Sequence, residues 1–414
     1  MKFIHLADLH FGKLLGGISL AEDGSQGDWC RQCLAVVDAE KPDAVLIAGD
    51  VFDRSQPSGE ARSLASRFLT ELTRRTAVLM IAGNHDSAEN VEYLSELLEN
   101  QGLYASGVLG AELKHKTFTD EFGRVTVWLA PYFYPTMVGQ TLGIDRPDSY
   151  TEAARALLAA QPIDWRERNI LVAHQTVLFG AEKPEQGGSE TSVGGVGQID
   201  ADVFDGFDYV ALGHIHRAQR MGRADVRYAG APLCYHFDEA GKEDERNGQP
   251  GILIAELGEK GTAPQICFAP VRPLHPLRNV RGGLEEILEK EKTDPRRGEY
   301  IRVTLTDEQL QLNARDILEA AYRTKGSRLL EVKRETVRHK ETEHDHLSVQ
   351  EHTLQELFAD YYEYQMRRPM PENTAALLER AAALLEESSG TPQAEEAAAQ
   401  ALMEFALTQG EDEA

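Results

Sequence analysis

The sequence predicts an α/β protein in which helices flank two layers rich in β-strands. Residues 1 to about 270 alternate continuous apolar runs, typical of buried strands, with amphipathic segments of helical period. Short strands separated by Gly-based turns dominate residues 103–131 and again residues 208–270. Helices around two such β-rich regions fit a layered α/β sandwich better than a single doubly wound sheet.

The helices of this first region are indicated by apolar residues at helical spacing and by capping residues. Their predicted ranges are 28–40, 58–75, 88–100 and 149–160. Ser58 is the expected N-cap of the second helix. Cys30 and Cys33 form a C-x-x-C pair within the first helix, but Cys33 lies on its apolar face and the chain has no second pair. We therefore expect both cysteines in the core rather than on zinc.

A domain boundary is predicted near residues 270–276, where Pro occurs three times. Beyond it, the pattern indicates a small β-α-β-α-β domain with elements at 277–280, 284–290, 300–305, 313–321 and 328–332. The predicted organisation is a first domain at 1–272, a small α+β domain at 273–335, a charged linker at 336–346 and a helical region at 347–414.

The C-terminal region carries three amphipathic helical stretches. A capping box occurs at Ser348–Glu351, and apolar residues recur at helical spacing before Pro369 and after Pro371. Such helices can pack into a small core of their own or dock on a partner. The pattern alone favours neither.

Composition limits the classes of function. The chain of 414 residues has 43 Lys and Arg against 68 Asp and Glu, a formal net charge of −25. A simple DNA-binding module usually presents a basic surface, so a DNA substrate would require bound cations or a basic partner. No apolar stretch approaches the about 20 residues of a membrane span, and Asp8 interrupts the first apolar run too early for a signal peptide. A cytoplasmic protein without membrane association is expected.

Apolar runs that end in polar side chains point to a metal site. The segments are Asp8-Leu9-His10, Gly49-Asp50-Val51-Phe52-Asp53, Gly83-Asn84-His85-Asp86, His174 and Gly213-His214-Ile215-His216. Oxygen ligands mixed with imidazole suit Mn²⁺, Fe²⁺ or Zn²⁺, and the lack of Cys among them argues against a structural zinc site.

Candidate ligands in these segments are too many for one ion. They are Asp8, His10, Asp50, Asn84, His174, His214 and His216. Two ions about 3.5–4 Å apart, sharing a bridging carboxylate, would use them all and would clamp the oxygens of a phosphoryl displacement. Such a pair also produces hydroxide from water near neutral pH. A lone His at a strand end is more often a hydrogen-bonded loop residue, and we interpret the remaining strand-end and loop histidines in this way: His5, His115, His236 and His275.

In their order along the chain, these segments resemble the signatures of the metallophosphoesterase (calcineurin-like) superfamily: D-x-H, G-D-x-x-D, G-N-H-D, a His after a strand, and G-H-x-H. The resemblance implies a four-layer α-β-β-α metallophosphoesterase sandwich with a small α+β cap domain and a C-terminal helical tail. Within the superfamily, the chain is most similar to the SbcD family, the nuclease subunits of bacterial SbcCD complexes. The supporting segments are Gly49–Asp53, Ala82–Ser87, Ala211–Gln219, Gly230–Pro232 and Phe237–Glu239.

The resemblance also implies a role for each site residue. One ion would be held by Asp8, His10 and His216, a second by Asn84, His174 and His214, and Asp50 would bridge the two. His85 would be catalytic rather than a ligand, lying beside the scissile phosphate as a general acid. Asp53 would orient the imidazole of His85.

The implied function is that of a Mn²⁺-dependent DNA nuclease subunit, with 3′→5′ exonuclease activity on double-stranded ends and endonuclease activity on single strands or hairpins. It would act in DNA end processing, repair and recombination. The small domain would guide DNA to the metals, and residues 347–414 would dock on the coiled coil of an SbcC-type, SMC-like ATPase. The implied assembly is a homodimer within a heterotetramer. The chain has no G-x-x-x-x-G-K-[ST] segment, so ATP control would come from the partner.

Two alternatives remain open at this point. A phosphomonoesterase or cyclic-nucleotide phosphodiesterase of the same superfamily would share the metal site but would not need residues 277–414. A non-catalytic scaffold on this fold would usually have lost several ligands, whereas every segment here is complete.

Overall fold

The computed structural model describes residues 1–93, 95–185, 197–241, 250–307, 313–335 and Thr374. The chain divides into two compact units, Met1–Thr336 and Val337–Ala414. The predicted linker at 336–346 and, apart from Thr374, the predicted helical region at 347–414 lie outside the described residues.

The described strands and helices alternate through most of the first unit. The strands are β1 (Lys2–Leu6), β2 (Leu14–Leu15), β3 (Ile18–Ser19), β4 (Ala44–Ala48), β5 (Ala77–Ile81), β6 (Leu103–Ser106), β7 (Lys114–Asp120), β8 (Gly123–Ala130), β9 (Arg168–His174), β10 (Thr176–Leu178), β11 (Gln198–Asp200), β12 (Tyr209–Gly213), β13 (Gln219–Arg220), β14 (Val226–Tyr228), β15 (Gly251–Glu256), β16 (Gln265–Pro270), β17 (Leu277–Gly282), β18 (Tyr300–Leu305) and β19 (Arg328–Arg334). The helices are α1 (Ser25–Glu40), α2 (Gly59–Thr73), α3 (Ala88–Glu92), α4 (Ser95–Glu99), α5 (Pro135–Leu142), α6 (Tyr150–Ala159), α7 (Leu284–Thr293) and α8 (Ala314–Arg323), with a 3₁₀ turn at Ala201–Phe204.

Two six-stranded sheets form the centre of the described part of this unit. The first has the order β16-β15-β1-β4-β5-β6 and the second β13-β14-β12-β9-β8-β7. Strands β1, β4, β5 and β6 run parallel, as do β8, β9, β12 and β14. Because parallel strands end on the same side of their sheet, the loops that follow them gather at one edge.

The two sheets face each other across a dry core that includes Phe3, Leu46, Val127 and Tyr209. Helices α1 and α2 cover the outer face of the first sheet, burying Trp29 and Phe68, and α6 covers the second. Strands buried on both faces need continuous apolar runs, and each fully buried large side chain contributes roughly 1.5–3 kcal/mol. The predicted four-layer α-β-β-α sandwich is confirmed.

The N-cap predicted at Ser58 is present, whereas one predicted helix is divided in two. The Oγ of Ser58 accepts a hydrogen bond from the amide of Ala61, which is an N-cap as predicted. The single helix predicted at 88–100 is wrong, because the chain leaves the helical conformation at Tyr93 (ψ 124°) and α3 and α4 are separate. At the end of α3, the carboxylate of Glu92 accepts hydrogen bonds from the amide of Gly107 and from Lys114.

The small α+β domain has the β-α-β-α-β order that the sequence predicts. Its three parallel strands, in the order β17-β18-β19, pack against α7 and α8 around Ile301, Leu318 and Tyr322. The hydroxyl of Tyr300 donates to Asp23 of the sandwich at 2.6 Å. The predicted boundary at residues 272 and 273 stays a prediction, since both parts belong to one compact unit. Among the described residues, no helix has the length and apolar character needed to cross a membrane.

Candidate metal centre

The strand ends bring the predicted ligands to one edge of the sandwich. Asp8 and Asp50 follow β1 and β4, which are neighbours in the first sheet. His174 ends β9 and is paired in register with Gly213 of β12, immediately before His214. Sheet topology therefore places together side chains that are far apart in sequence.

Unusual backbone conformations aim these side chains inward. Among the described non-glycine residues with positive φ are Asp8 at 55°, His10 at 43°, Asp50 at 50° and His214 at 95°. This region costs an L-residue about 1–2 kcal/mol, and such strain is concentrated at functional sites.

The motif glycines are required because the loops approach one another closely. A Cβ on Gly83 would lie 2.1 Å from Oδ1 of Asp50, and a Cβ on Gly213 would lie 1.9 Å from the carbonyl oxygen of Ala48. Both distances are too short for any side chain, so these positions admit only glycine without a shift of the backbone.

One group of donors consists of Asp8, His10 and His216. One ligand atom from each lies within 4.8 Å of the others, and Nε2 of His10 is 3.2 Å from Nε2 of His216. Oδ1 of Asp8 accepts the amide of His214 at 2.9 Å, whereas Oδ2 is buried with no hydrogen-bond partner among the described residues. A buried unsatisfied carboxylate oxygen facing two imidazole nitrogens is costly unless a cation completes it.

A second group contains Asn84, His174 and His214. Oδ1 of Asn84 lies 3.0 Å from Nε2 of His174 and 3.0 Å from Nδ1 of His214. Asp50 lies between the groups, with Oδ2 at 3.4 Å from Nε2 of His174 and 3.6 Å from Nε2 of His10. The structure thus brings all the predicted ligands together; their division into two sets is the one that the resemblance implies.

The residues present fit a pair of divalent cations. The donor atoms are carboxylate, amide and imidazole groups, with no thiolate among the predicted ligands, which is the mixture that Mn²⁺, Fe²⁺ or Zn²⁺ accepts. Most of these side chains are buried, but Asn84 is exposed and His85 and His214 are half-buried, so the centre opens to solvent on that side.

Hydrogen bonds on the far side of the rings fix the imidazoles. Nδ1 of His174 lies 2.7 Å from the carbonyl oxygen of Ala48, and Nδ1 of His216 lies 3.0 Å from Oε1 of Glu239. Partners of this kind orient a ligating histidine and set its tautomer. The sequence indicates no role for Glu239, because its separation from His216 follows no spacing rule. The only signal is its place in the segment Phe237–Glu239, which contributes to the resemblance.

Asp86 connects two of the loops, a role that its motif does not reveal. Its carboxylate accepts hydrogen bonds from the amides of Val51 at 3.1 Å, Phe52 at 2.8 Å and Gly83 at 2.9 Å. Burial and the nearby charge of Asp50 raise the pKa of Asp86 to about 6. The loop after β4 is thereby attached to the loop after β5.

The contact between Asp53 and His85 differs from the expected one. Nδ1 of His85 lies 3.0 Å from the main-chain carbonyl of Asp53 and must donate to it, because a carbonyl only accepts. The Asp53 carboxylate instead lies 2.9 Å from Nζ of Lys13 and 3.5 Å from Nδ1 of His10. Burial opposes ionisation of Asp53, but His10 and Lys13 hold its pKa well below the usual range. The Asp53 carboxylate therefore pairs with Lys13 and His10, and the main-chain carbonyl of Asp53 is the group that contacts Nδ1 of His85.

Charges within the centre are strongly coupled. Burial disfavours the charged forms of Asp50 and His174, yet their mutual attraction lowers the pKa of Asp50 far below its usual value and raises that of His174 to about 9. Burial raises the pKa of Asp8 to about 6 and lowers that of His10 to about 4. Protons and cations therefore compete for this set of donors.

Histidines expected to be structural have other partners. Nε2 of His5 lies 3.2 Å from the carbonyl of Leu212, and Nδ1 of His275 lies 2.7 Å from that of Gly298. His115 contacts the Leu113 carbonyl, and His236 accepts the Asp238 amide. Cys30 and Cys33 are buried in the core of the first sheet, as predicted.

Two family models match the chain. The calcineurin-like phosphoesterase model matches residues 1–218, which include every predicted ligand and His85. A second model, described as the C-terminal domain of a type 5 capsule protein repressor, matches residues 273–366.

Two known proteins with similar sequences are named as nuclease subunits. The chain is 30% identical over 311 residues to the SbcD subunit of the nuclease SbcCD from Staphylococcus epidermidis, covering 74% of this chain and 79% of that protein. It is 29% identical over 310 residues to the SbcD subunit of the nuclease SbcCD from Staphylococcus saprophyticus, covering 74% of this chain and 78% of that protein. The chain therefore belongs to the calcineurin-like phosphoesterase family and, within it, to the family of the SbcD nuclease subunits.

Proposed function

We propose that this chain is the nuclease subunit of an SbcCD-type complex, a Mn²⁺-dependent DNA phosphodiesterase with 3′→5′ exonuclease and single-strand or hairpin endonuclease activity. One observation carries the proposal: Asp50 lies between two sets of donors at the carboxyl ends of parallel strands. A bridging carboxylate between two sites is the arrangement that two-metal phosphoryl transfer requires.

The proposed ligands are Asp8, His10 and His216 for one cation, and Asn84, His174 and His214 for the other, with Asp50 shared. Carboxylate oxygen and imidazole together suit Mn²⁺, as they suit Fe²⁺ or Zn²⁺, and we propose Mn²⁺ from the family resemblance. When bound, the two cations would supply charge stabilisation at the phosphate and a nucleophile near neutral pH. The remaining steps belong to side chains of this protein.

His85 is the proposed general acid. Its Nδ1 donates to the Asp53 carbonyl, so Nε2 of the imidazolium form is left to donate to the leaving sugar oxygen. The amide of His85 also donates to Oδ1 of Asp50 at 2.9 Å, which ties its position to the metal ligands. Its ring packs edge-on against His10 at 4.9 Å between centroids.

The proposed substrate and partner protein are inferred from the family of the chain and from its net charge. We propose DNA as the substrate, residues 273–335 as the cap that guides it, and residues 347–414 as the region that binds an SbcC-type ATPase in a heterotetramer containing two copies of this chain. A net charge of −25 requires cations or a basic partner at the DNA, and both are part of the proposal. With DNA as the substrate, the proposed location of the protein is the cytoplasm.

A phosphomonoesterase or cyclic-nucleotide phosphodiesterase would use the same donors. The similarity to named nuclease subunits and the match over residues 273–366 support the nuclease instead. The decisive assay compares blunt, hairpin and single-stranded DNA with small phosphate esters, across Mn²⁺, Mg²⁺ and ATP, with and without the partner ATPase. Mn²⁺-dependent cleavage of DNA is expected. Hydrolysis of small esters with no cleavage of any DNA would contradict the proposal.

A further inference from the structure

A short turn, Tyr235–Glu239, connects the metal centre with the small domain. It is closed by a hydrogen bond from the Glu239 amide to the carbonyl of His236 at 3.0 Å. Its Glu239 carboxylate lies 3.0 Å from Nδ1 of His216 through Oε1 and accepts the Tyr235 amide at 2.6 Å through Oε2. The side chains of His216 and Glu239 are only 6% and 8% exposed, so this contact is held in a buried setting.

The opposite side of the same turn is held by the small domain. Nδ2 of Asn279, on β17, donates to the carbonyl of Phe237 at 2.7 Å. Arg302, on β18, donates to Oδ1 of Asp238 at 2.5 Å, and its guanidinium lies over the Phe237 ring at 5.4 Å. Nε of Arg302 also donates to Oδ1 of Asn279 at 2.9 Å, so the two side chains contact each other as well as the turn.

We propose that Arg302 and Asn279 are positioning residues for the metal ligand His216, acting through Glu239. Phe237, Asp238 and Glu239 are consecutive, so a shift of the first two moves the carboxylate that orients the imidazole. This inference rests on the proposed function, since it takes His216 to be a ligand. The inference adds that the position of the small domain determines the affinity of the metal centre for cations.

Substitution of Arg302 should change cation affinity in opposite directions, depending on whether the residue acts through its charge or by positioning His216. A measured affinity can therefore distinguish the two effects. Removing the Arg302 guanidinium takes away a positive charge that is paired with the Asp238 carboxylate and makes the region more negative, which by charge alone strengthens cation binding. Loss of a group that orients a ligating histidine weakens metal affinity, typically by about 10–100-fold for a direct partner. A residue that acts through that direct partner should weaken metal affinity as well, but by a smaller factor.

The experiment measures Mn²⁺ affinity of the full chain by isothermal titration calorimetry. Arg302→Ala and Asn279→Ala should each weaken binding by about 3–10-fold, and Glu239→Gln by about 10–100-fold. The matched control is Arg281→Ala. Arg281 also lies in the small domain and loses the same charge, but it is 68% exposed and pairs with Glu335. The Mn²⁺ affinity of the Arg281→Ala variant should equal that of the wild type or exceed it slightly.

A double-mutant cycle tests whether the effect passes through Glu239. Arg302→Ala should add almost nothing in the Glu239→Gln background, because the link is already broken. Thermal unfolding in EDTA checks that each variant is folded. If Arg302→Ala does not fold, Asn279→Ala, a smaller change that leaves the net charge unchanged, tests the proposal in its place. The proposed coupling would be overturned, and the proposed function would not, by either of two results. One is unchanged or tighter Mn²⁺ binding by folded Arg302→Ala or Asn279→Ala, and the other is full additivity in the cycle. A wild-type chain that binds no Mn²⁺ would overturn the proposed function as well.

Discussion

The carboxylate of Asp50 lies 3.4 Å from Nε2 of His174, although 123 residues separate them in sequence and they belong to different sheets. With Oδ2 also facing His10, Asp50 contacts both donor sets through a single oxygen. Substituting it is therefore the strongest test of a shared site.

We expect Asp50→Ala to abolish binding of both cations and, with it, phosphodiester hydrolysis. The loss of the shared oxygen leaves each set of donors without one of its ligands. Calorimetric titration with Mn²⁺ would measure the first effect and a DNA cleavage assay the second. Full occupancy of either site in the variant would show that Asp50 is not shared.

His85→Gln should separate chemistry from metal binding. Because His85 is outside both donor sets, Mn²⁺ affinity should stay within about 3-fold of the wild type, while turnover should fall by about 10²–10⁴-fold, the usual contribution of general acid catalysis. Single-turnover cleavage at saturating Mn²⁺ isolates this step. Cleavage at the wild-type rate would remove His85 from the mechanism.

Gly83→Ala should damage the centre through packing alone. The new methyl group would meet Oδ1 of Asp50 at 2.1 Å, and overpacking of this kind typically costs about 1–3 kcal/mol. Chemical denaturation without metal measures the loss, and calorimetry should show weakened Mn²⁺ binding. The control is Gly59→Ala, where a Cβ meets nothing within 4 Å. Its free energy of unfolding should change by less than about 1 kcal/mol.

An ion pair distant from the metal ligands should control stability at low pH. Arg168, only 2% exposed, donates to both carboxylate oxygens of Asp120 and to the carbonyl of Gly258. The Arg168 hydrogen bonds hold the pKa of Asp120 far below its ordinary value of 3.8. The folded state therefore binds fewer protons than the unfolded state.

The contribution of Asp120 should be complete above pH about 4 and should vanish as the pH falls further, because a depressed pKa favours folding only while the carboxyl is ionised in the folded state. Asp120→Asn should lower the free energy of unfolding by about 2–3 kcal/mol at pH 7, since it leaves the buried Arg168 without its counter-charge. Urea titrations across pH would show the two proteins converging in acid. A constant difference would contradict this account.

Removing the region after residue 335 should separate partner binding from chemistry. The unit Met1–Thr336 is compact by itself and contains every predicted ligand. A chain ending at 335 should therefore keep Mn²⁺-dependent hydrolysis of small phosphodiesters but no longer co-purify with the SbcC-type ATPase. Retained capture of the ATPase by the shortened chain would place the docking surface elsewhere.

Local pattern determined the elements and the chemistry of this protein. Alternation of buried strands with amphipathic helices predicted the layered sandwich, because strands covered on both faces must be continuously apolar. Asp, His and Asn at the strand ends identified the candidate ligands, because the loops after parallel strands all lie at one edge of a sheet. Even the N-cap at Ser58 could be predicted, since it depends on neighbours within one helical turn.

Contacts between distant segments decided the rest. The hydrogen bonds of Glu92 beside the break at Tyr93, the pairing of the Asp53 carboxylate with Lys13, and the contact of His216 with Glu239 each join groups brought together only by folding. Periodicity and capping encode interactions over a few residues. Which acid reaches which imidazole is set by sheet order and by contacts between distant loops, which no local spacing records.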